Sequence, residues 1–334
     1  MTLKLDVAAI GNAIVDVLAH VDDAFLARHG IAKGNMTLID AFRARELEKD
    51  LPGATLMPGG SAANTATGIA MLGGSARFIG RVKDDFLGQS FLSGLNKAGI
   101  HYSTPMATEG AATARCVIAI TPDAQRSMNT FLGASVELDE SVIVPEEIAG
   151  ASIFYVEGYL WDPPQAIAAI RKGMAAAREA GRKIALTLSD SFCVGRHRAS
   201  FLELMADGLS ILFANEAEII SLYEAPDFDA ALQRVRAWSD ATGGIAALTR
   251  SEKGSVVKGR GEVHVIDPLV QGPLVDTTGA GDLYASGFLF GLARGFGLQH
   301  CGKLGSLCAG EIITHVGPRP QKDLKALAQA HGLL

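Results

Sequence analysis

The sequence is poor in aromatic residues and has no excess of positive charge. Aromatic side chains make up 6% of the 334 residues, and the formal net charge is −6. Such a chain lacks the overall basic field that attracts nucleic acid or anionic lipid. No run of about 18 or more apolar residues occurs, which is the length that a transmembrane helix requires. We therefore expect neither a nucleic-acid partner nor a membrane partner.

Cysteine is also scarce, and no pair of cysteines has a metal-binding or redox spacing. The sequence contains no C-x-x-C pair, which disfavours a zinc site or a disulfide framework. The first residues lack a basic region and a cleavage site, so they are not typical of a signal peptide. We expect a cytoplasmic protein with four buried, reduced thiols: Cys116, Cys193, Cys301 and Cys308.

Three common phosphate-binding motifs are missing. There is no G-x-x-x-x-G-K-[ST] segment, which excludes a P-loop enzyme. The segment "GAGDLY" has Tyr284 where a dinucleotide fingerprint needs its third glycine. No H-R-D and D-F-G pair exists, so the chain is not a protein kinase.

Apolar strands and helices alternate from about residue 150 onwards. Hydrophobic residues make up 48% of the chain, and the strands are near-continuous apolar runs. This pattern is typical of a mostly parallel sheet covered by helices on both faces. No Pro/Ser-rich linker or repeat divides the chain, so residues 1–334 are expected to form one α/β unit.

Two segments break this alternation. Residues 98–130 contain "TARCVIAITPDAQRSMNTFLG", which predicts a hairpin with Pro122 and Asp123 at its turn. Residues 12–40 also contain strands that are poorly separated by helix. We expect these two segments to form a small β-rich element that stands off the main sheet.

The stretch "DTTGAGD", Asp276 to Asp282, precedes a predicted helix. A glycine-rich turn at a helix start offers free backbone N–H groups and a positive dipole end, which together bind anions. A carboxylate at this position fits the base that takes a proton from an attacking hydroxyl. The alternative is that Asp282 only caps the helix.

Two further motifs carry groups suited to hydroxyls. In "MPGGSAANTA", Gly59 and Gly60 allow close backbone approach, and Asn64 offers a donor and an acceptor. In "IGNAIVD", Asn12 and Asp16 follow a predicted strand and suit a vicinal diol. The alternatives are a loop leading into a close-packed helix and an Asx turn, respectively.

The segment "FANEAEI" places Asn215 and Glu218 three residues apart at a strand-to-helix junction. Both side chains could face a metal-bound water cluster near phosphates. The alternative is a capping box, with Asn215 as the cap and Glu218 as its partner. The two interpretations are compatible.

Taken together and in this order, these motifs resemble the PfkB carbohydrate kinase family, also called the ribokinase family, and within it the adenosine kinase-like branch. The resemblance covers nearly the whole chain, and "DTTGAGDLYASGFL" is its most diagnostic part. It implies a ribokinase-like three-layer α/β/α sandwich with a small β-sheet lid, formed from about residues 12–40 and 98–130. It also implies transfer of the γ-phosphoryl group of ATP to a primary hydroxyl.

The resemblance assigns roles residue by residue. The base would be Asp282, with the N–H groups of Gly279, Ala280 and Gly281 as an anion hole. The acceptor would be held by Asn12, Asp16, Gly59, Gly60 and Asn64. The aromatic candidates for contact with a base are Tyr159, Trp161 and Phe192, with core packing as the alternative for each. The ATP and Mg²⁺ side would involve Asn215, Glu218, Thr249 and Gly254, and a potassium site would involve Asp276, Thr278 and Gly317.

The acceptor implied by this branch is a ribonucleoside, with adenosine as the leading candidate. A sugar kinase of the same family, acting on ribose, fructose or a related sugar, is the alternative. From other classes, a NAD-linked oxidoreductase and a non-catalytic sugar-binding regulator remain as less favoured hypotheses. Family members occur as monomers and as dimers joined through their lids, so both states are open here.

Overall fold

The computed structural model describes residues 4–123 and 125–334 and contains a large and a small β-sheet. The strands are β1 Leu5–Ile10, β2 Ile14–His20, β3 Met36–Leu38, β4 Thr55–Pro58, β5 Ala76–Ile79, β6 Ala114–Ile120, β7 Arg126–Phe131, β8 Ala151–Glu157, β9 Lys183–Thr187, β10 Ile211–Asn215, β11 Ile245–Thr249, β12 Ser255–Gly259 and β13 Glu262–Ile266. The α-helices are α1 Asp23–Arg28, α2 Ala41–Asp50, α3 Ser61–Met71, α4 Phe86–Lys97, α5 Pro145–Ala149, α6 Pro164–Glu179, α7 Ser191–Ala206, α8 Glu216–Tyr223, α9 Phe228–Thr242, α10 Ala280–Ala293, α11 Leu298–Ile312 and α12 Leu324–Ala330.

The large sheet has eight strands in the order β13-β12-β11-β10-β9-β8-β1-β5. The six strands from β11 to β5 run parallel, and β12 pairs antiparallel with both β11 and β13. Parallel strands need helical crossovers, and crossovers on both faces bury the sheet. The prediction of a mostly parallel sheet is therefore confirmed.

Helices cover both faces of this sheet. Along β1, Val7 and Ala9 join a core with α3, α4, α10, α11 and α12, whereas Ala8 and Ile10 join a second core with α6 to α9. This division follows the two-residue alternation of a strand, in which successive side chains point to opposite faces. The three-layer α/β/α arrangement expected from the sequence is confirmed.

The small sheet has five strands in the order β3-β7-β6-β2-β4. The hairpin predicted around Pro122 and Asp123 is present, since β6 and β7 pair antiparallel from Arg115↔Phe131 to Ile120↔Arg126. The strand β4 also belongs to this sheet, because it pairs antiparallel with β2. The prediction from the sequence left β4 outside the small element. Nothing local in "ATLMP" indicates that its partner strand lies about 40 residues earlier in the chain.

The two faces of the small sheet differ. Val17, Ala19 and Val117 pack against α1 and α2. The other face carries Asp16 and continues through its register partners to Leu18, Ile118, Met128 and Arg126. This face is apolar except for the acid Asp16 and the base Arg126. Such a face suits contact with a ligand or with a neighbouring polar loop.

The carboxyl ends of the parallel strands meet at one edge of the large sheet. Adjacent strands end there at Ile10, Glu157, Thr187, Asn215 and Thr249, and the register pairs Glu157 with Thr187 and Asn215 with Thr249. Ligands in open α/β sheets bind outside this edge. The motifs singled out in the sequence follow these strand ends.

Within the described ranges, no helix is long and apolar enough to cross a membrane. All four cysteines are buried and free, as predicted.

Candidate active site

The turn "DTTGAGD" leads directly into α10. Gly279 has a φ of 80°, a left-handed conformation that favours glycine, and it is the N-cap of the helix. The N–H of Ala280 donates to Thr277 O at 3.1 Å. Among the residues described, no acceptor reaches the N–H groups of Gly279 and Gly281, and a Cβ at Gly281 would meet open space. Two of the three predicted anion-hole donors are therefore free.

The carboxylate of Asp282 contacts the first turn of α3. Ser61 Oγ donates to Asp282 Oδ1 at 2.6 Å, and Asn64 Nδ2 donates to Asp282 Oδ2 at 2.9 Å. The side chain does not cap its own helix, so the capping alternative is not what the structure shows. Burial raises the pKa of Asp282, against the hydrogen bonds from Ser61 and Asn64 and the charge of Arg319.

The glycine loop before α3 lies against the Asn12 and Asp16 segment. A Cβ at Gly59 would lie 2.6 Å from Asp16 Oδ2, and a Cβ at Gly60 would lie 2.3 Å from Asn12 O. Gly60 also has a φ of 87°. A side chain at Gly59 would collide with the Asp16 carboxylate, and one at Gly60 with the backbone of Asn12, so both glycines are required for this approach.

The buried side chains of Asn12, Asp16 and Asn64 each have an acceptor oxygen that no donor reaches within the described residues. Asn12 Nδ2 donates to Glu157 and Asn64 Nδ2 donates to Asp282, which leaves both amide oxygens pointing away. Among the described residues, neither Asn12 Oδ1 nor Asn64 Oδ1 has a partner. No hydrogen bond within residues 4–123 and 125–334 reaches the Asp16 carboxylate. Buried acceptors need donors, so the site suits a ligand with several hydroxyl groups.

Asp16 is a weak acid in this environment. Burial raises its pKa to about 7, and the nearby Asp282 adds to the rise, while the charges of Arg126 and Arg319 oppose it. The Asx-turn alternative for this segment is not observed, because the Asn12 side chain bonds to Glu157 instead of to its own backbone.

Glu157 joins the two acceptor segments. Its Oε1 accepts from Asn12 N at 3.3 Å and from Asn12 Nδ2 at 2.9 Å, and its Oε2 accepts from Ala62 N at 2.9 Å. The carboxylate occupies the space that a side chain at Gly11 would fill, 2.3 Å from such a Cβ. Burial raises the pKa of Glu157 to about 7. This residue fixes which end of the Asn12 amide faces the site.

The aromatic residues predicted for a base pocket do not act as a group. Tyr159 is half-buried and donates from its hydroxyl to Ser189 O at 3.2 Å. Trp161 is 1% exposed and packs on Phe201 in the core. Phe192, at the start of α7, is 79% exposed. Trp161 is therefore a core residue, and only Tyr159 and Phe192 keep a surface that a ligand can reach.

On the predicted ATP side, Asn215 and Glu218 form the capping box. Asn215 Oδ1 accepts from Glu218 N at 2.9 Å, and Glu218 Oε2 accepts from Asn215 N at 3.0 Å. Thr249 is the register partner of Asn215. Gly254 has a φ of 74°, and a Cβ there would lie 2.0 Å from Ile266 O, which is a packing reason for this glycine. The capping alternative is thus observed, and a role toward Mg²⁺ through water remains a prediction.

Asp276, Thr278 and Gly317 are brought together, as the potassium prediction requires. However, Asp276 already accepts from Thr278 N and Gly317 N, and Arg126 Nη2 lies 2.8 Å from Asp276 Oδ2. Arg126 Nη1 also donates to Thr278 Oγ1 at 2.7 Å. A guanidinium from the small sheet holds this carboxylate, so the residues present do not fit a potassium ion. No cluster of three or more His, Cys, Asp or Glu side chains elsewhere in the described ranges could hold a metal.

Four residues of this site were not assigned roles from the sequence: Ser61, Arg126, Glu157 and Arg319. Ser61 lies inside the quoted glycine motif, so its place beside Asp282 could have been inferred. Glu157 ends the otherwise apolar run of β8, where a lone carboxylate is unusual. Arg126 and Arg319 give no local signal, because each acts on a segment far away in the chain.

The chain matches the family described as pfkB family carbohydrate kinase over residues 31–324. It belongs to this family and is therefore a phosphotransferase that uses an alcohol group as acceptor. Membership in a kinase family implies ATP as the phosphoryl donor.

Relatives of this chain carry two kinds of name. It is 48% identical to the adenosine kinase from Sinorhizobium meliloti, with a TM-score of 0.91 and 98% of this chain and 99% of that chain covered. It is 46% identical to a probable sugar kinase from Rhizobium etli CFN 42, with a TM-score of 0.92 and full coverage of both. The adenosine kinase of Saccharomyces cerevisiae is 27% identical, covering 92% of this chain and 95% of its own.

The contacts of Glu157 predict a pH-dependent effect of Glu157→Gln. An amide at this position turns one acceptor into a donor that faces the N–H of Ala62 or Asn12, which lowers the free energy of unfolding by about 1–3 kcal/mol. Because the folded pKa of Glu157 is raised from 4.5 to about 7, the wild type loses stability as the pH rises through this window, whereas the variant does not. The difference between the two proteins should therefore be largest near pH 5 and smaller near pH 8.

Urea unfolding at both pH values measures this difference. The matched control is Glu252→Gln, which changes an exposed glutamate and should shift stability by less than about 0.5 kcal/mol at either pH. A gap for Glu157→Gln that is constant or widens with pH would contradict the interpretation.

Proposed function

We propose that this protein is an ATP-dependent kinase that transfers the γ-phosphoryl group to the 5′-type primary hydroxyl of a ribonucleoside, with adenosine as the leading candidate. The observation that carries the proposal is the set of buried acceptors at Asn12, Asp16 and Asn64 beside Asp282. A ribose ring supplies the donors that these oxygens lack. The adenosine kinases among the similar proteins support the nucleoside acceptor.

In this proposal Asp282 is the general base. It takes the proton of the acceptor hydroxyl while a bond forms between that oxygen and the γ-phosphorus and the bond to the bridging oxygen of ADP breaks. Ser61 and Asn64 orient its carboxylate. The free N–H groups of Gly279 and Gly281, with the positive end of the α10 dipole, stabilise the negative charge on the transferred group.

Mg²⁺ would neutralise part of the phosphate charge. The side chains proposed to organise it, through water, are Asn215 and Glu218. They form a hydrogen-bonded pair at the carboxyl end of β10. Burial raises the pKa of Glu218 to about 7, so its negative charge, and with it its attraction for a cation, increases with pH.

A sugar kinase is the second candidate. The buried acceptors of Asn12, Asp16 and Asn64 suit hydroxyl groups and do not distinguish a nucleoside from a free sugar. One of the similar structures is a probable sugar kinase. The oxidoreductase hypothesis loses its support with the family assignment. The cytoplasmic location and the oligomeric state, monomer or lid-mediated dimer, stay predictions.

Asp282→Asn tests the proposed chemistry. The substitution keeps the size of the side chain and removes its basicity, so turnover should fall by about 10²–10⁴-fold, while ATP and acceptor still bind. Phosphorylation is measured for both proteins with adenosine, other nucleosides, ribose, fructose and aminoimidazole riboside. The matched control, Asp229→Asn, changes an exposed aspartate of α9 and should keep full activity.

Near-normal turnover of Asp282→Asn would remove this residue from the base role. A wild type that phosphorylates none of these acceptors would instead leave a hydroxyl-binding regulator in contention. Activity on free sugars without activity on any nucleoside would establish the sugar kinase instead.

Asp16→Asn tests the acceptor site. The ionised carboxylate makes charge-assisted hydrogen bonds to hydroxyls, so its loss should weaken acceptor binding by about 1.5–3 kcal/mol. Because the pKa of Asp16 is about 7, wild-type affinity should increase from pH 6 to pH 8. Calorimetric titration of both proteins should show that this increase is missing in Asp16→Asn, and an equal increase in both would exclude Asp16 from the site.

We also propose that the small sheet closes over the acceptor. Its Asp16 face is tied to the "DTTGAGD" turn by Arg126, which places it next to the hydroxyl-binding groups. In hydrogen exchange, residues 12–40 and 98–130 should gain protection when adenosine is added, and more with an ATP analogue present. Protection confined to other segments would remove this sheet from the mechanism.

A further inference from the structure

Arg319 holds both ends of the glycine loop. It lies between α11 and α12, in residues 313–323. Its Nε donates to Pro58 O at 2.9 Å and its Nη1 donates to Ala63 O at 3.2 Å. These two carbonyls flank the loop that carries Gly59 and Gly60. One planar guanidinium therefore spans the loop that forms one wall of the acceptor site.

The third nitrogen of Arg319 is enclosed and has no hydrogen-bond partner in the part of the chain that the structure describes. A buried donor without an acceptor is unusual unless charge or a ligand satisfies it. The carboxylates of Asp16 and Asp282 are the acids whose fields act on this guanidinium. Burial lowers the pKa of Arg319 only to about 10, so it keeps its charge at neutral pH.

The site otherwise has more acid than base. Arg126 lowers the pKa of Asp16 more than Arg319 does, but it is paired with Asp276, and the cation that lowers the pKa of Asp282 is Arg319. The titratable groups whose charges interact with Asp282 come from β2, β8, the turn after β8, α8 and the 313–323 loop, and are Asp16, Tyr155, Glu157, Tyr159, Glu218 and Arg319. Arg319 is the one base in this set.

We propose that Arg319 is a positioning residue that clamps the glycine loop of the acceptor site and supplies a positive charge that favours the ionised forms of the Asp16 and Asp282 carboxylates. The catalytic part of this proposal rests on the proposed kinase function. The electrostatic part does not, because it concerns the ionisation of two side chains in the free protein.

The test compares Arg319→Gln with Arg319→Lys. Glutamine removes the charge and retains one donor group. Lysine keeps the charge but loses the planar pair of donors that binds the Pro58 and Ala63 carbonyls. The acidic limb of the pH profile of kcat/KM reports ionisation in the free enzyme. In Arg319→Gln this limb should move up by about one pH unit, because an opposite charge has been removed from a buried carboxylate. In Arg319→Lys it should stay in place, while KM for the acceptor rises because the loop is less well held.

A readout independent of activity is the melting temperature from pH 5 to pH 8. Removing the cation raises the folded pKa of Asp16 and Asp282 further above their unfolded values, so stability is lost as the pH rises. The deficit of Arg319→Gln relative to wild type should grow across this window, and that of Arg319→Lys should stay constant. The matched control is Arg182→Gln, at the opposite end of the sheet, whose arginine also donates to a backbone carbonyl but should show a pH-independent effect.

Equal, pH-independent deficits in both Arg319 variants, with an unmoved acidic limb, would reduce Arg319 to a structural clamp and overturn the proposal. If Arg319→Gln does not fold at any pH, Arg319→Met, which also removes the charge but keeps an unbranched apolar stem, takes its place: a limb that moves up supports the proposal, and a wild-type limb refutes it. If the wild type phosphorylates no acceptor, the kinase function fails, and the melting data still decide the role of Arg319.

Discussion

The arrangement of this site depends on one carboxylate that joins the first turns of two helices. Asp282 belongs to α10, and its two oxygens accept from Ser61 and Asn64 of α3. Both helices direct the positive ends of their dipoles toward this point, which favours a negative charge there. Close contact of small residues keeps the helices together: a Cβ at Gly68 of α3 would lie 2.3 Å from Ser286 Oγ of α10. The proposed base, Asp282, and the proposed hydroxyl-binding amide, Asn64, are therefore fixed relative to each other by the core.

A second constraint is the balance of charge around the acceptor. Asp16, Glu157 and Asp282 are enclosed together, and burial raises the pKa of each. Uncompensated, such a cluster would become protonated and would lose its value as a set of acceptors. The hydrogen bonds from Asn12 and Ala62 to Glu157, and the nearby arginines, counter this tendency. Hydrogen-bond donors and nearby cations thus stabilise the ionised carboxylates in place of the water that burial removes.

The sequence was sufficient to predict the layers of the fold and most of the groups that converge at the sheet edge. The strand alternation predicts two covered faces, and parallel strands bring Asn12, Glu157 and Asn215 to the same edge. The capping box at Asn215 was also predictable, because both of its partners lie within one turn. The contacts that could not be predicted are long-range: Glu157 meets Asn12 across 145 residues, and Arg319 meets Ala63 across 256. No local propensity encodes such a pair, so the Glu157 bridge and the Arg319 clamp became visible only in the folded chain.

The order of these groups along the chain has a consequence for the protein during its synthesis. Asn12, Asp16 and Asn64 leave the ribosome well before Asp282 and Arg319. The Asn64 amide and the Ser61 hydroxyl lack their carboxylate partner until then, and the glycine loop lacks its clamp. A nascent chain can build the amino-terminal half of the acceptor site, since domains form progressively as they are translated. In the proposed mechanism it cannot activate a hydroxyl until α10 has folded back onto α3, so translation itself withholds the proposed transfer step from chains that have not yet reached α10.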